Sequence, residues 1–363
     1  MPVSQVPFAG ISNPVDFRNI VINGDMQLAQ RNTSVASITT AGYYTVDRFK
    51  LDGTVTGTWT MSQSTDVPSG YGFANSLKLD CTTADATPAA GEHFFLTQFF
   101  EGQNLQYLKK GTANASPLTL SFWVKSTKTG TFIAQIYDAD NSRVISKSYT
   151  VSVTNTWEFK TVTFAGDTTG TLTNDNGNSL SVRFWLAAGT DFTSGTLNTS
   201  WASAVDANLA VGQVNIADST ANDFLITGVQ LEAGEQASGF EFMPIDVNLI
   251  RCQRYAQKVP FAATGAFSTI AEGFCDSTTA AFMNIVQTVT MRTTPSVTQT
   301  GNLRIHIGGT ALSITSVAID SNIASQSCTT VVASVASGLT AGQGCTIEQN
   351  NSTTANLLLS AEL

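Results

Sequence analysis

Leu118-Thr119-Leu120-Ser121-Phe122-Trp123-Val124-Lys125 alternates between two sets of positions, with Leu118, Leu120, Phe122 and Val124 all on one parity. Successive side chains of an extended chain point to opposite faces, so this spacing predicts a strand with one buried face. The same period recurs in Gly57-Thr58-Trp59-Thr60-Met61-Ser62 and Ser76-Leu77-Lys78-Leu79-Asp80-Cys81, and again at Thr131 to Tyr137, Trp157 to Phe164, Leu180 to Leu186 and Phe224 to Glu232. Between these runs lie Lys128-Thr129-Gly130, Asp138-Ala139-Asp140-Asn141 and Thr173-Asn174-Asp175-Asn176-Gly177-Asn178, residue types that tolerate turn geometry. Short strands joined by polar turns predict an all-β fold built on an antiparallel sandwich.

Outside that sandwich the pattern changes at both ends. Residues 1–17 carry prolines and no periodicity, so they read as an extended arm, with Val6, Pro7 and Phe8 as its candidate attachment residues. The sandwich is expected over 18–243. After Phe242-Met243-Pro244, Asp246 suits a helix N-cap, and the spacing of Val247, Leu249, Ile250 and Cys252 predicts a helical linker over 244–259, ending near Gln257. Arg251 and Arg254 share one side of that helix, facing either acids of the sandwich, a neighbouring chain or solvent. Alternation returns at Ala281 to Met291, Leu303 to Ile307, Leu312 to Ile319, Thr329 to Val335 and Leu357 to Leu363, which predicts a second small β-domain over 260–363. Ala187 to Gln213, rich in Gly, Thr, Ser and Asn, is too long for a hairpin loop and is expected to be functional or disordered.

Composition excludes several function classes. Of 363 residues only 12% are charged, against about 25% in ordinary domains, and 18 Lys and Arg against 27 Asp and Glu give a net charge of -9. A chain without a basic surplus is not expected to neutralise nucleic acid or to seek anionic membranes. No run approaches the roughly 20 apolar residues of a membrane span, and Met1-Pro2-Val3-Ser4-Gln5 does not open as a classical secretion signal. Cys81, Cys252, Cys275, Cys328 and Cys345 are odd in number and contain no C-x-x-C pair, so reduced, mostly buried thiols are expected. With only His93 and His306, imidazole metal sites and Ser-His or Cys-His nucleophiles have little material.

Two segments carry a resemblance. Arg18-Asn19-Ile20-Val21-Ile22-Asn23-Gly24-Asp25-Met26-Gln27-Leu28-Ala29-Gln30-Arg31, with Tyr43-Tyr44-Thr45-Val46-Asp47-Arg48-Phe49, resembles the opening of bacteriophage tail-fibre-type structural proteins. Asp223 to Gly234, then Phe240-Glu241-Phe242-Met243-Pro244 and Cys252-Gln253-Arg254-Tyr255, resembles the end of the same module. The two bracket roughly two thirds of the chain. The resemblance implies a jelly-roll sandwich laid out like a carbohydrate-binding module. Related modules often hold a structural calcium beside an Asn-Gly-x-Phe-Glu motif; here Asp25 and Met26 take its third and fourth positions, and the departure from Phe-Glu removes the glutamate. Asp25 is therefore the candidate calcium ligand, and Asn23-Gly24-Asp25 reads equally as turn chemistry.

Among chemistry-bearing residues the carboxylates lie singly, with no pair to flank a glycosidic bond, and no repeat of a β-helical depolymerase is present. No enzymatic activity is expected. His93 sits in an apolar run and His306 alternates with Arg304 on a strand face. Asp47 and Arg48 suit a buried or subunit-bridging ion pair. Aromatic rings are the better binding candidates, because a sugar's C–H face stacks on them while its hydroxyls bond polar neighbours. Trp201 lies outside the runs that place Trp123, Trp157 and Trp185 on strands; Tyr71 and Phe73 share the Gly-rich segment Ser69-Gly70-Tyr71-Gly72-Phe73. For each, a ring folded back over the sandwich edge or into a subunit contact is the reading that outweighs ligand binding. The expected protein is a virion component, a homotrimer that joins other virion proteins through its arm and presents β-domains to host-surface glycan as a tail fibre or tail-associated protein. A capsid-attached head fibre or decoration protein is the alternative, followed by a polysaccharide-degrading enzyme.

Overall fold

The computed structural model describes residues 17–261 and 265–363. The attachment residues Val6, Pro7 and Phe8 lie outside the described residues. The fold is all-β, and the quoted stretch forms the strand Leu118–Ser126. It lies in a six-stranded sheet in the order Ser34–Ile38, Thr58–Ser64, Ser76–Thr83, Asp223–Ala233, Leu118–Ser126 and Glu158–Phe164. A second six-stranded sheet runs Ala202–Ser203, Arg143–Val151, Gly130–Asp138, Asn178–Ala188, His93–Glu101 and Lys50–Gly53. Neighbours within each sheet are antiparallel; some are consecutive, as Gly130–Asp138 with Arg143–Val151, and others are far apart in sequence, as the Asp223–Ala233 strand that pairs with both Ser76–Thr83 and Leu118–Ser126. This is the jelly-roll arrangement.

The two sheets bury one core between them. Leu118, Leu120, Phe122 and Val124 face Phe132, Ala134 and Ile136 of the second sheet, and the Phe122 ring meets Phe184 and Tyr149 at 5.0 Å. The outward faces depart from simple alternation, because two connecting segments cover them. Residues 189–213 pack Phe192, Leu197, Leu209 and Ala210 on Phe95, Ile133, Val144 and Trp185, and Gln135 Nε2 donates to the Leu209 carbonyl at 3.1 Å. The long polar segment is thus an ordered cover. On the first sheet Thr119 Oγ1 donates to Gly234 O at 2.8 Å and the Glu241 amide donates to Gln230 Oε1 at 2.8 Å, tying down residues 234–241.

The helix runs Ile245–Gln253 with Pro244 at its cap, so Asp246 sits in the first turn and not at the N-cap. It also stops short of Gln257. Ala256–Val259 is a strand, paired with Asn356–Ser360 about a hundred residues later, and Ser296–Thr300 completes a three-stranded sheet. Pairing available only from the distant chain end overrides the local helical spacing. Beyond lies a closed barrel of Thr269–Cys275, Ala280–Val286, Cys328–Val335, Thr310–Ile319, Leu303–Ile307 and Gly344–Gln349, with its own core around Met283, Ile305, Val331 and Ile347. Among the described residues no helix is long and apolar enough to cross a membrane.

Charged side chains join the sandwich to the end of the helix and to the residues after the Asn356–Ser360 strand. Arg254 grips Glu101 with two bonds of 2.7 and 2.6 Å, and Tyr255 Oη donates to the same carboxylate. Arg48 pairs with Glu362, donates to Phe99 O at 2.7 Å and lies 3.4 Å from the centre of the Tyr255 ring. Asp47 and Arg48 are both buried but do not pair with each other: Asp47 accepts from Gln30 and lies 3.7 Å from Arg31. Burial pushes the Asp47 carboxyl up to about 6, against the opposing pull of Arg31 and the Gln30 bonds.

Candidate functional site

Tyr71 and Phe73 come from the loop between Thr58–Ser64 and Ser76–Thr83. Gly70 and Gly72 flank Tyr71 at φ +85° and +84°, a left-handed region that glycine enters without a Cβ clash. The loop crosses the outer face of the first sheet and sets Tyr71 against Trp123, ring centres 4.2 Å apart. Trp123 points outward because Phe122 and Val124 point inward, and its register partner across the ladder is Phe159 at 5.3 Å. Phe73 meets Phe240 and Phe242, each at 5.1 Å. Beneath Phe73 the Asp223–Ala233 strand bulges between Thr227 and Gln230, where Gly228 has φ +61°. A Cβ there would stand 2.6 Å from Phe73 Cζ, so glycine lets the ring lie on bare backbone.

These rings line an open cleft of about 290 Å³ together with Ser121, Gly228, Ser238 and Gly239. Tyr71 is 56% exposed, Phe159 49% and Phe242 48%, a cluster of large rings in water. Two residues along the face from Trp123, Lys125 pairs with Asp66 at 2.7 Å, and Trp157 Nε1 donates to the same carboxylate at 2.9 Å. Burial acts to raise the Asp66 carboxyl, and the bonds from Lys125 and Trp157 outweigh it and hold it below the usual range. The described lining holds no carboxylate, imidazole, thiol or amine. Such a cleft can stack an apolar face.

Of the sequence candidates, Tyr71 and Phe73 are brought together here, Phe73 as a buried support and Tyr71 as an exposed ring. Trp201 is not. Its indole N–H donates to Ala165 O at 2.7 Å, its ring packs against the sandwich core, and Lys110 Nζ sits 5.2 Å from the ring centre, so both edge and face are already engaged. Beside it Lys110 pairs with Asp138 and with Asp167 at 3.0 Å, and Arg143 Nε reaches Asp167 at 2.8 Å. Sequence reasoning missed Trp123, Phe159, Phe240 and Phe242. For the first two the signal was parity within their strands, which sets both rings on the outward side.

Asp25, the candidate calcium ligand, is buried; Asn248 Nδ2 donates to it at 3.3 Å, and burial raises its carboxyl. Among the described residues no three acidic, histidine or cysteine side chains cluster as metal ligands. Asn23 instead serves as turn chemistry: at φ +61° it donates to Leu28 O at 2.9 Å and Asp47 O at 3.1 Å. His93 packs 4.1 Å from the Phe192 ring, and burial holds its imidazole low. A second cavity of about 300 Å³, between Phe17, Ile22, Phe100, Tyr107 and Arg251, has on its wall the Glu101, Arg254 and Tyr255 groups already bonded to one another.

No family model and no curated protein matches the chain. Among solved structures it is similar to the enzymatically active domain of tailspike protein 4 of bacteriophage CBA120, at 18% identity and a TM-score of 0.32 over 60% of this chain and 22% of that one. It is thus matched to under a quarter of that tailspike chain. It is also similar to a family 11 carbohydrate-binding module of a cellulosomal cellulase of Clostridium thermocellum, at 13% identity and TM-score 0.27 over 60% of this chain and 96% of that one. A family 22 module from the same organism matches at 12% and 0.29, over 56% of this chain and 96% of that one.

Proposed function

We propose that this chain is a non-enzymatic structural protein of a bacteriophage virion, a tail fibre or tail-associated component that holds host-surface glycan in the cleft of Tyr71, Trp123 and Phe159. The observation that carries the binding half is the cleft itself: rings half in water, with serines in the lining beside them. Pyranose rings match that surface, offering C–H faces to the aromatics and hydroxyls to the serines. The virion half is supported by the likeness of 18–31, 43–49, 223–234, 240–244 and 252–255 to phage fibre proteins. Binding of host polysaccharide measured by calorimetry, with Tyr71→Ala as the control, tests the first half. The variant should weaken binding by about 1–3 kcal/mol, the scale of one large ring's apolar burial, with an unchanged melting temperature. Equal affinity of the two proteins would remove the cleft from the function, and steady release of reducing ends by wild type would return the enzyme reading.

Assembly has its own expected result. The outer strands Ser34–Ile38 and Glu158–Phe164 end the first sheet with unpaired edges, a liability that symmetric association covers. Light scattering at micromolar concentration should give three times the chain mass; a monomer contradicts the trimer. Attachment through residues 1–17 predicts that a chain lacking them melts normally and fails to join particles, and labelled particles then separate tail from capsid.

A further inference from the structure

The barrel closes where Thr269–Cys275 pairs with Gly344–Gln349. In that seam Gly273 lies opposite Cys345 and Phe274 opposite Gly344, so Cys275, two residues beyond Gly273, shares a face with Cys345 and stands diagonal to it. Both side chains belong to the barrel core. Gly273 contributes no side chain across from Cys345, and no other residue fits there, because a Cβ would fall 1.8 Å from Phe282 O. The diagonal toward Cys275 is therefore the open direction for the Cys345 thiol. Backbone bonds hold the pair at the end of the seam: the Cys275 amide donates to Gln343 O, and the Gly342 amide to Cys275 O, each at 2.8 Å.

We propose that Cys275 and Cys345 form an intramolecular disulfide when the folded chain meets a low-molecular-weight disulfide oxidant, a covalent staple across the closing seam of the barrel. Cys345, 7% exposed where Cys275 is 0%, attacks first. Its thiolate displaces one thiolate from the oxidant and forms a mixed disulfide; the Cys275 thiolate then attacks the Cys345 sulfur and expels the second. Two protein thiols lose two protons and two electrons, and the oxidant becomes two thiols. Burial, reinforced by the neighbouring Cys275 thiol, pushes Cys345 up to about 12, so thiolate is scarce at neutral pH and the exchange is slow.

Reduced full-length protein incubated with oxidised glutathione, then denatured, alkylated with N-ethylmaleimide and weighed, tests this. Of five free cysteines, three should be alkylated, with a mass loss of about 2 Da for the bond formed and a linked 275–345 peptide on digestion. The oxidised barrel should melt about 10 °C higher, since the staple closes a long loop of the unfolded chain, and dithiothreitol should reverse the gain. Cys345→Ser should yield no linked peptide. Five alkylated thiols in folded wild-type protein after prolonged exposure, or glutathione retained on either cysteine in place of the cross-link, overturns the proposal.

Discussion

Arg48→Ala is expected to destabilise the protein by about 3–5 kcal/mol, because it leaves the Glu362 carboxylate buried beside a lost partner. The wild-type guanidinium is fully buried, pairs with Glu362, donates to Phe99 O and covers the Tyr255 ring. Those contacts also hold Arg48 at φ +72°, a left-handed conformation that costs a non-glycine residue on the order of 1 kcal/mol. Glu362 keeps Arg31 at 3.1 Å, which sets the lower end of the range. Arg48→Lys keeps the charge, loses the planar stack on Tyr255 and should fall between wild type and alanine. Denaturant unfolding monitored separately for the sandwich and the three-stranded sheet should show both affected, since Arg48 comes from the first and Glu362 follows the Asn356–Ser360 strand of the second. A loss under 1 kcal/mol would show that the junction does not depend on this pair.

The second large effect contrasts two adjacent residues. Phe122 is buried against Phe184 and Tyr149, so Phe122→Ala should cost about 3–5 kcal/mol of stability as a cavity in the core. Its folded fraction should bind glycan as wild type does. Trp123 faces the cleft, so Trp123→Ala should cost about 1 kcal/mol of stability and lower affinity by about 1–3 kcal/mol. Melting and binding measured on both variants should therefore dissociate. Loss of stability in Trp123→Ala to the extent of Phe122→Ala, with binding retained, would make the outward ring structural.

That contrast also marks what the sequence disclosed. Period-two spacing in 118–125 identified the strand and its inward residues, because burial against an opposing sheet is what selects such a pattern. The same spacing gave the helix too far an extent, since Ala256–Val259 answers to a partner at Asn356–Ser360 that no local window contains. Arg48 and Glu362 stand 314 residues apart, so their pairing had no local signature. Trp201 looked free because its surroundings are polar in sequence, yet the chain folds Ala165 and Lys110 against it. Tyr71 was legible from its flanking glycines, and the rings it meets were not, because the cleft is assembled from strands and loops of distant segments.

The central claim is that glycan is held by the Tyr71 and Trp123 cleft. Protein labelled with 5-fluorotryptophan carries five fluorine reporters, at Trp59, Trp123, Trp157, Trp185 and Trp201, and ¹⁹F NMR during titration with host polysaccharide reads each of them. The account predicts a saturable shift of the Trp123 signal, with Trp59, Trp185 and Trp201 unmoved. A Trp201 shift with Trp123 unchanged, or no shift at all under conditions where the particle adsorbs to its host, would contradict it.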